Sequence, residues 1–264
     1  MTPPDTATIA VRHEGAALWI TLNRPERLNA VTAELLDDLA DLVTEAAADD
    51  AVRVVVLAGA GRAFSSGADL GGGAGLDPAN PPGTHTLAAA ERVIQALRAA
   101  PQPVIAAVRG AAAGVGCSLA LACDLVLTAE DAYFLLAFTA IGLMPDGGAS
   151  ALVPAAIGRA RAMGMALVPE RVPAAQALAW GMIYRTVPGD ALDAEVLALA
   201  GRLAAGAPRA LAATKAAVNA ATLGGLDAAL ARELAGQSAL LRTADFAEGV
   251  AAFGARRPPR FTGA

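Results

Sequence analysis

The segment Arg109 to Thr128, RGAAAGVGCSLALACDLVLT, constrains this chain more than any other. A glycine-spaced turn, Gly110 to Gly116, opens into small and apolar residues, and a β-favouring run follows Asp124. Gly114 and Gly116 leave the backbone bare, so another group can approach it closely. A helix that starts at about Val115 has first amides with no internal partner, at the positive end of its dipole. An oxygen gaining negative charge fits there. A second glycine turn, Ser65-Ser66-Gly67-Ala68-Asp69-Leu70, can supply another such amide. Two backbone donors converging on one oxygen form an oxyanion hole, and the rest of the chain has to hold the two turns together.

Periodicity indicates how it does so. Residues 7–22 are β-like and are followed by the loop TLNRPERLNA. Thr32 can cap a helix to about Asp49, with Leu35, Leu36, Leu39, Leu42 and Val43 on one face. Val52 to Ala58 is a continuous apolar run interrupted only by Arg53, which suits a strand covered on both faces. Residues 71–83, GGGAGLDPANPPG, hold too much Gly and Pro for any regular element. They read equally as a mobile loop beside the site or as a surface linker. An amphipathic helix over 84–99 puts Leu87, Val93, Ile94 and Leu97 inward, and Val104 to Val108 is a buried strand leading into the central turn. Strands near 125–127, 132–136 and 182–187 alternate with helices at 150–168 and 173–180. From Asp190 onward the pattern is helical, at about 190–205, 208–222, 226–241 and 243–254. This order implies an α/β core over 1–189 and a helical region over 190–264.

Composition excludes several functions. Hydrophobic residues make up 55% of the 264 and aromatic ones only 4%, so the core is built of Ala, Val and Leu. A net charge of −5 disfavours nucleic acid or an anionic membrane as the main partner. Two cysteines, Cys117 and Cys123, and two histidines provide neither a metal set nor a disulfide framework. The cysteines read as buried reduced thiols. The N-terminus lacks the pattern of a secretory signal, and no apolar run reaches the ~20 residues that span a bilayer. These features indicate a soluble cytoplasmic protein.

Nucleophilic machinery is scarce. His13 and His85 belong to no triad, and no Gly-x-Ser-x-Gly elbow is present. The Gly110–Gly116 spacing does not match a dinucleotide fingerprint. An oxyanion hole with carboxylates remains, which suits a stabilised enolate or tetrahedral oxyanion while a carboxylate moves a proton. Asp146, in Pro145-Asp146-Gly147-Gly148, fits a helix N-cap as well as it fits a base. Asp69 reads as a cap for the following segment, Asp124 as an ion-pair partner, and Ser118 as a packing residue.

Seven motifs in order resemble the crotonase, or enoyl-CoA hydratase/isomerase, superfamily. They are NRPERLNA (23–30), AGAGRAFSSGADL (58–70), VRGAAAGVGCSLALACDL (108–125), IGLMPDGGASALVPAAIGRARAM (141–163), ALAWGMIYRTV (177–187), LAATKAAV (211–218) and DFAEGVAAFGARRPPRF (245–261). The resemblance implies a spiral of repeated β-β-α turns, with a C-terminal helical region that packs subunits into trimers or hexamers. It implies an acyl-CoA thioester as ligand, coenzyme A being part of the substrate and no separate cofactor being needed. By motif position, the amides of Ala68 and Val115 face the thioester oxygen. Arg24, Arg27, Lys215 and Arg256 fall where the family meets CoA, with Ala68 beside it. Leu70, Ser118, Phe138 and Leu143 fall at the acyl pocket.

Two departures bear on the chemistry. Where hydratases of the family carry two glutamates, this chain has Ser118 and Phe138. Its PDGG loop is closest to the branch containing the phenylacetate-pathway isomerase, in which a loop aspartate is the single acid/base; Asp146 matches it. The resemblance therefore implies a 3-enoyl to 2-enoyl isomerase, with ring-derived substrates as one variant. A silent acyl-CoA binder and a weak hydratase are the rivals. Phe138, Leu143 and Met144 are expected to desolvate Asp146 and raise its pKa, against the opposing pull of a nearby helix N-terminus.

Overall fold

The computed structural model describes residues 8–71 and 83–264. Its strands are β1 (Ile9–Glu14), β2 (Ala17–Leu22), β3 (Val54–Gly59), β4 (Val104–Val108), β5 (Ala111–Ala113), β6 (Leu125–Ala129), β7 (Tyr133–Leu135), β8 (Val172–Pro173) and β9 (Arg185–Val187). The helices are α1 (Ala33–Ala48), α2 (His85–Ala99), α3 (Val115–Ala122), α4 (Ala149–Leu167), α5 (Ala174–Ala179), α6 (Leu192–Ala204), α7 (Pro208–Thr222), α8 (Leu226–Leu240) and α9 (Ala244–Gly254).

A large sheet runs β1-β2-β3-β4-β6-β9, antiparallel at the first pair and parallel thereafter. A small sheet runs β5-β7-β8. In β4-β5-α3 and again in β6-β7-α4, one strand joins the large sheet, the next joins the small one, and a helix follows. This is the repeated β-β-α turn of the crotonase spiral. Backbone bridges Val31–Ala68 and Ser65–Ala112 extend the small sheet into the first glycine turn.

The unbroken apolar strands are explained by two covered faces. Along β3, Val55 and Leu57 join the main core with α1 and α2, while Val54 and Val56 join a second core with α6. Successive side chains of a strand point to opposite faces, so both sets must be apolar. Thr32 caps α1 by accepting from the Leu35 N–H at 3.3 Å. Val93, Ile94 and Leu97 face inward from α2 as expected, whereas Leu87 packs apart, near Leu241, Phe246 and Val250. The helix expected over 150–168 is α4, with a break at Gly158 where φ is +76°. Residues 72–82 of the Gly/Pro stretch lie outside the described residues.

After β9 the chain is helical throughout its regular structure. Helix α6 covers the second face of the large sheet, and α8 and α9 close over the loop that holds Asp146. A Cβ at Gly249 of α9 would sit 2.6 Å from the Ile141 backbone, so only glycine lets α9 lie on the 3-10 turn Phe138–Ile141. Among the described residues, no single helix is long and apolar enough to cross a membrane.

Candidate active site

The two glycine turns are stitched together. The Ser65 N–H donates to Ala111 O, and the Ala113 N–H to Ser65 O, each at 2.9 Å. A Cβ at Gly67 would lie 2.9 Å from Ala113 O, and one at Gly116 would lie 2.7 Å from the Ser65 Cβ. Side chains there would pry the turns apart. The Val31 N–H donates to Gly67 O and the Asp69 N–H to Val31 O, so the intervening Ala68 turns its own N–H away from that bridge. Val115 is the first residue of α3, so its amide precedes every internal acceptor of the helix. Among the described residues, neither amide donates to a protein acceptor. The backbone therefore offers two donors from abutting turns.

Behind the first turn lies a residue that sequence reasoning missed. Asn29 is fully buried and donates to Ala60 O at 2.9 Å and Ala63 O at 2.7 Å, while its Oδ1 accepts the Arg24 N–H. Its carbonyl also accepts from the Ser65 hydroxyl at 2.8 Å. Leu28 and Asn29 both have positive φ, +53° and +55°, a conformation that costs energy without glycine. These bonds hold the strained 23–30 loop against the turn.

Asp146 lies in the loop that leads into α4. Its loop turns through two left-handed glycines, Gly147 (φ +63°) and Gly148 (φ +81°). A Cβ at Gly147 would lie 3.0 Å from Ser118 Cβ and 3.2 Å from Val115 Cγ2, so the loop rests on the first turn of α3. Ser118 is fully buried and donates its hydroxyl to the Asp146 carbonyl oxygen at 2.7 Å. That contact pins the backbone of the aspartate.

The Asp146 side chain is not a helix cap. The cap of α4 comes from Glu233 on α8, whose Oε2 accepts the Gly148 N–H at 2.7 Å and whose Oε1 accepts the Ser150 N–H at 2.8 Å. The positive end of α4 is thus met by another carboxylate. Asp146 Oδ2 accepts from Gln237 Nε2 at 2.8 Å, and Oδ1 is buried without a partner among the described residues. Burial pushes the Asp146 carboxyl up to about 7; the Gln237 N–H restrains the rise and the Glu233 charge adds to it. Neither Glu233 nor Gln237 was legible as a site residue, because α8 reads only as an apolar-faced helix.

The other candidates separate clearly. Asp69 is paired with Arg24 at 2.8 Å and accepts the Gly71 N–H, and the Arg24 hydrogen bond leads in holding its carboxyl below the usual range. Arg24 also donates to Ala30 O, while Arg27 is exposed on the same loop. Asp124 is an ion-pair partner, bound by Lys215 at 2.8 Å and by the Val104 N–H. Lys215 further donates to Leu97 O and Gln102 O. Its three protons are thus placed within the chain. Arg256 is exposed beyond α9. Phe138 is buried beside the Asp146 loop, and Leu143 and Leu70 are half-buried. Among the described residues, no cluster of three metal-ligating side chains occurs. Burial raises both thiols, that of Cys117 to about 12.

The fold, the paired turns and the loop carboxylate define a class. The family model for enoyl-CoA hydratase/isomerase matches residues 12–264, and the chain belongs to that family. It is 46% identical to a probable enoyl-CoA hydratase of Rhodobacter capsulatus, over 95% of each chain. It is 41% identical to the 1,2-epoxyphenylacetyl-CoA isomerase of Escherichia coli, over 95% of this chain and 96% of the other. Its structure matches that of an enoyl-CoA hydratase from Mycobacterium avium subsp. paratuberculosis with a TM-score of 0.90 and 50% identity, covering 97% of this chain and 99% of that one.

Proposed function

We propose that the protein is an enoyl-CoA isomerase in which Asp146 alone moves the proton. The observation that carries this reading is the buried, unpartnered Oδ1 of a carboxyl pushed up to about 7. A 3-enoyl thioester bound with its carbonyl oxygen on the amides of Ala68 and Val115 would lose a C2 proton to Oδ1. The electron pair moves to the thioester oxygen as an enolate, which those amides hold. The enolate then collapses, the double bond moves to C2–C3, and the same oxygen returns the proton at C4. An acid–base group works best when its pKa lies near the operating pH, and burial brings Asp146 there.

Hydration would need a second group to activate water or deliver a proton. Glu233 is the carboxylate whose charge acts on Asp146, but both of its oxygens are taken by backbone amides. With Ser118 and Phe138 at the hydratase positions, the site supports one-carboxyl chemistry. Arg24, Arg27 and Arg256 remain the candidate cations for the nucleotide end of CoA. Self-association as a trimer or hexamer belongs to the same reading. Helix α7 buries no residue, and Val218 and Phe253 are 55% and 66% exposed, an apolar surface that another copy would cover.

The test is ultraviolet absorbance of the conjugated 2-enoyl thioester formed from a trans-3-enoyl-CoA. The wild type should produce the signal, and Asp146→Asn should lose roughly 10³-fold in rate with acyl-CoA binding near normal. A silent binder has no signal to lose.

A further inference from the structure

The C-terminal helix α8 presents two polar side chains, one turn apart, to the Asp146 loop. Gln237 is fully buried and Glu233 is 2% exposed, so each sits inside the protein for a reason. Residues four apart share a helix face, and here both reach the Pro145–Ser150 segment. Gly236 leaves room on the same face for Met144, whose Sδ would lie 2.3 Å from a Cβ there.

We propose that Gln237 and Glu233 are positioning residues that make one oxygen of Asp146, Oδ1, the proton-carrying atom. The hydrogen-bond directions follow from chemistry. The Met144 N–H is only a donor and lies 3.1 Å from Gln237 Oε1, which fixes the orientation of the amide. Gln237 must then present its NH₂ group to Asp146, and Oδ2 accepts from it at 2.8 Å. An oxygen already accepting along that line is the poorer place for a proton, so the proton resides on Oδ1. Glu233 acts differently. By accepting the Gly148 and Ser150 amides, it meets the positive end of α4 that would otherwise favour an ionised Asp146. It also places a like charge nearby. Among the described residues it is the charged group that acts on Asp146, so the two side chains push in opposite directions: Gln237 favours the carboxylate and Glu233 the acid.

For turnover, the inference rests on Asp146 being the acid–base group; the titration itself does not. The carboxyl C=O stretch of Asp146 can be followed against pH by infrared difference spectroscopy, wild type minus Asp146→Asn, without substrate. Gln237→Met, which keeps length and removes the donor, should move the midpoint up by about one pH unit, the scale of a charge-assisted hydrogen bond. Glu233→Gln should move it down. The acid limb of the isomerase pH–rate profile should move with each. Gln237→Glu keeps an acceptor for Met144 and adds a second carboxylate, so it tests the same position independently and should raise the midpoint further. A merely structural role lowers thermal stability and leaves the midpoint in place, and unmoved midpoints in folded Gln237 variants would overturn the proposal. An Asp146→Asn protein with full activity would instead sink the isomerase reading while leaving the titration result standing.

Discussion

Two aspartates, the partly exposed Asp124 and the buried Asp146, show how surroundings decide what a carboxylate does. Loss of water around the carboxyl raises both. Asp124 is answered by a cation: Lys215 and the Val104 N–H both converge on its Oδ2. Asp146 is answered by a neutral amide on one oxygen and nothing on the other, with the Glu233 charge close by. The first is a fixed ion pair at the start of β4. The second can gain and lose a proton near neutral pH, and its loop rests on the first turn of α3. A carboxylate with a counter-charge supports structure; a buried carboxyl without one is available for chemistry.

Removing the counter-charge gives the largest loss of stability. Lys215→Met leaves the partly exposed Asp124 carboxylate with the Val104 N–H alone, and should destabilise by roughly 2–4 kcal/mol near pH 8, below the range for a fully buried pair. The loss should shrink on acidification, because a carboxyl whose folded pKa is raised costs nothing once protonated in both states. The KM for acyl-CoA should hold, since the Lys215 ammonium is occupied within the protein. Denaturant melts at two pH values and a saturation curve check both parts, and a large KM change would return Lys215 to the CoA site.

The converse change is opposite in sign. Folded Asp146 titrates near 7 and unfolded aspartate near 3.9, so wild-type stability falls as pH rises between those values. Asp146→Asn removes that cost and should gain roughly 2–4 kcal/mol at pH 8 with no gain at pH 4. An equal gain at both pH values would mean that burial is not what perturbs this carboxyl.

Arg24→Lys is the mildest of the three. The Arg24–Asp69 pair is partly exposed, at 18% for each side chain. The variant should lose 1 kcal/mol or less in thermal melts. A larger loss would place Asp69 among the structurally indispensable carboxylates beside Asp124.

Much of this was legible in the sequence, for identifiable reasons. The helix start at Val115 follows from Gly114 and the apolar run, and the doubly covered strand β3 follows from VVVLA. Glycine turns declare themselves because nothing else permits their approach. The sorting of Asp69, Asp124 and Asp146 was only partly readable, because it depends on partners 45, 91 and 91 residues away: Arg24, Lys215 and Gln237. Glu233 and Gln237 carry no local signal, since a polar residue on a helix usually faces water. Only the packing of α8 against the Asp146 loop turns them inward.

The central claim is that a single carboxyl oxygen both takes and returns the proton. A trans-3-enoyl-CoA carrying deuterium at C2, converted in ordinary water, tests it most directly. Because Oδ1 is buried, part of the label should appear at C4 of the 2-enoyl product, by nuclear magnetic resonance or mass spectrometry. Product in which every transferred hydrogen at C4 comes from solvent, formed at full rate by Asp146→Asn as well, would contradict the account.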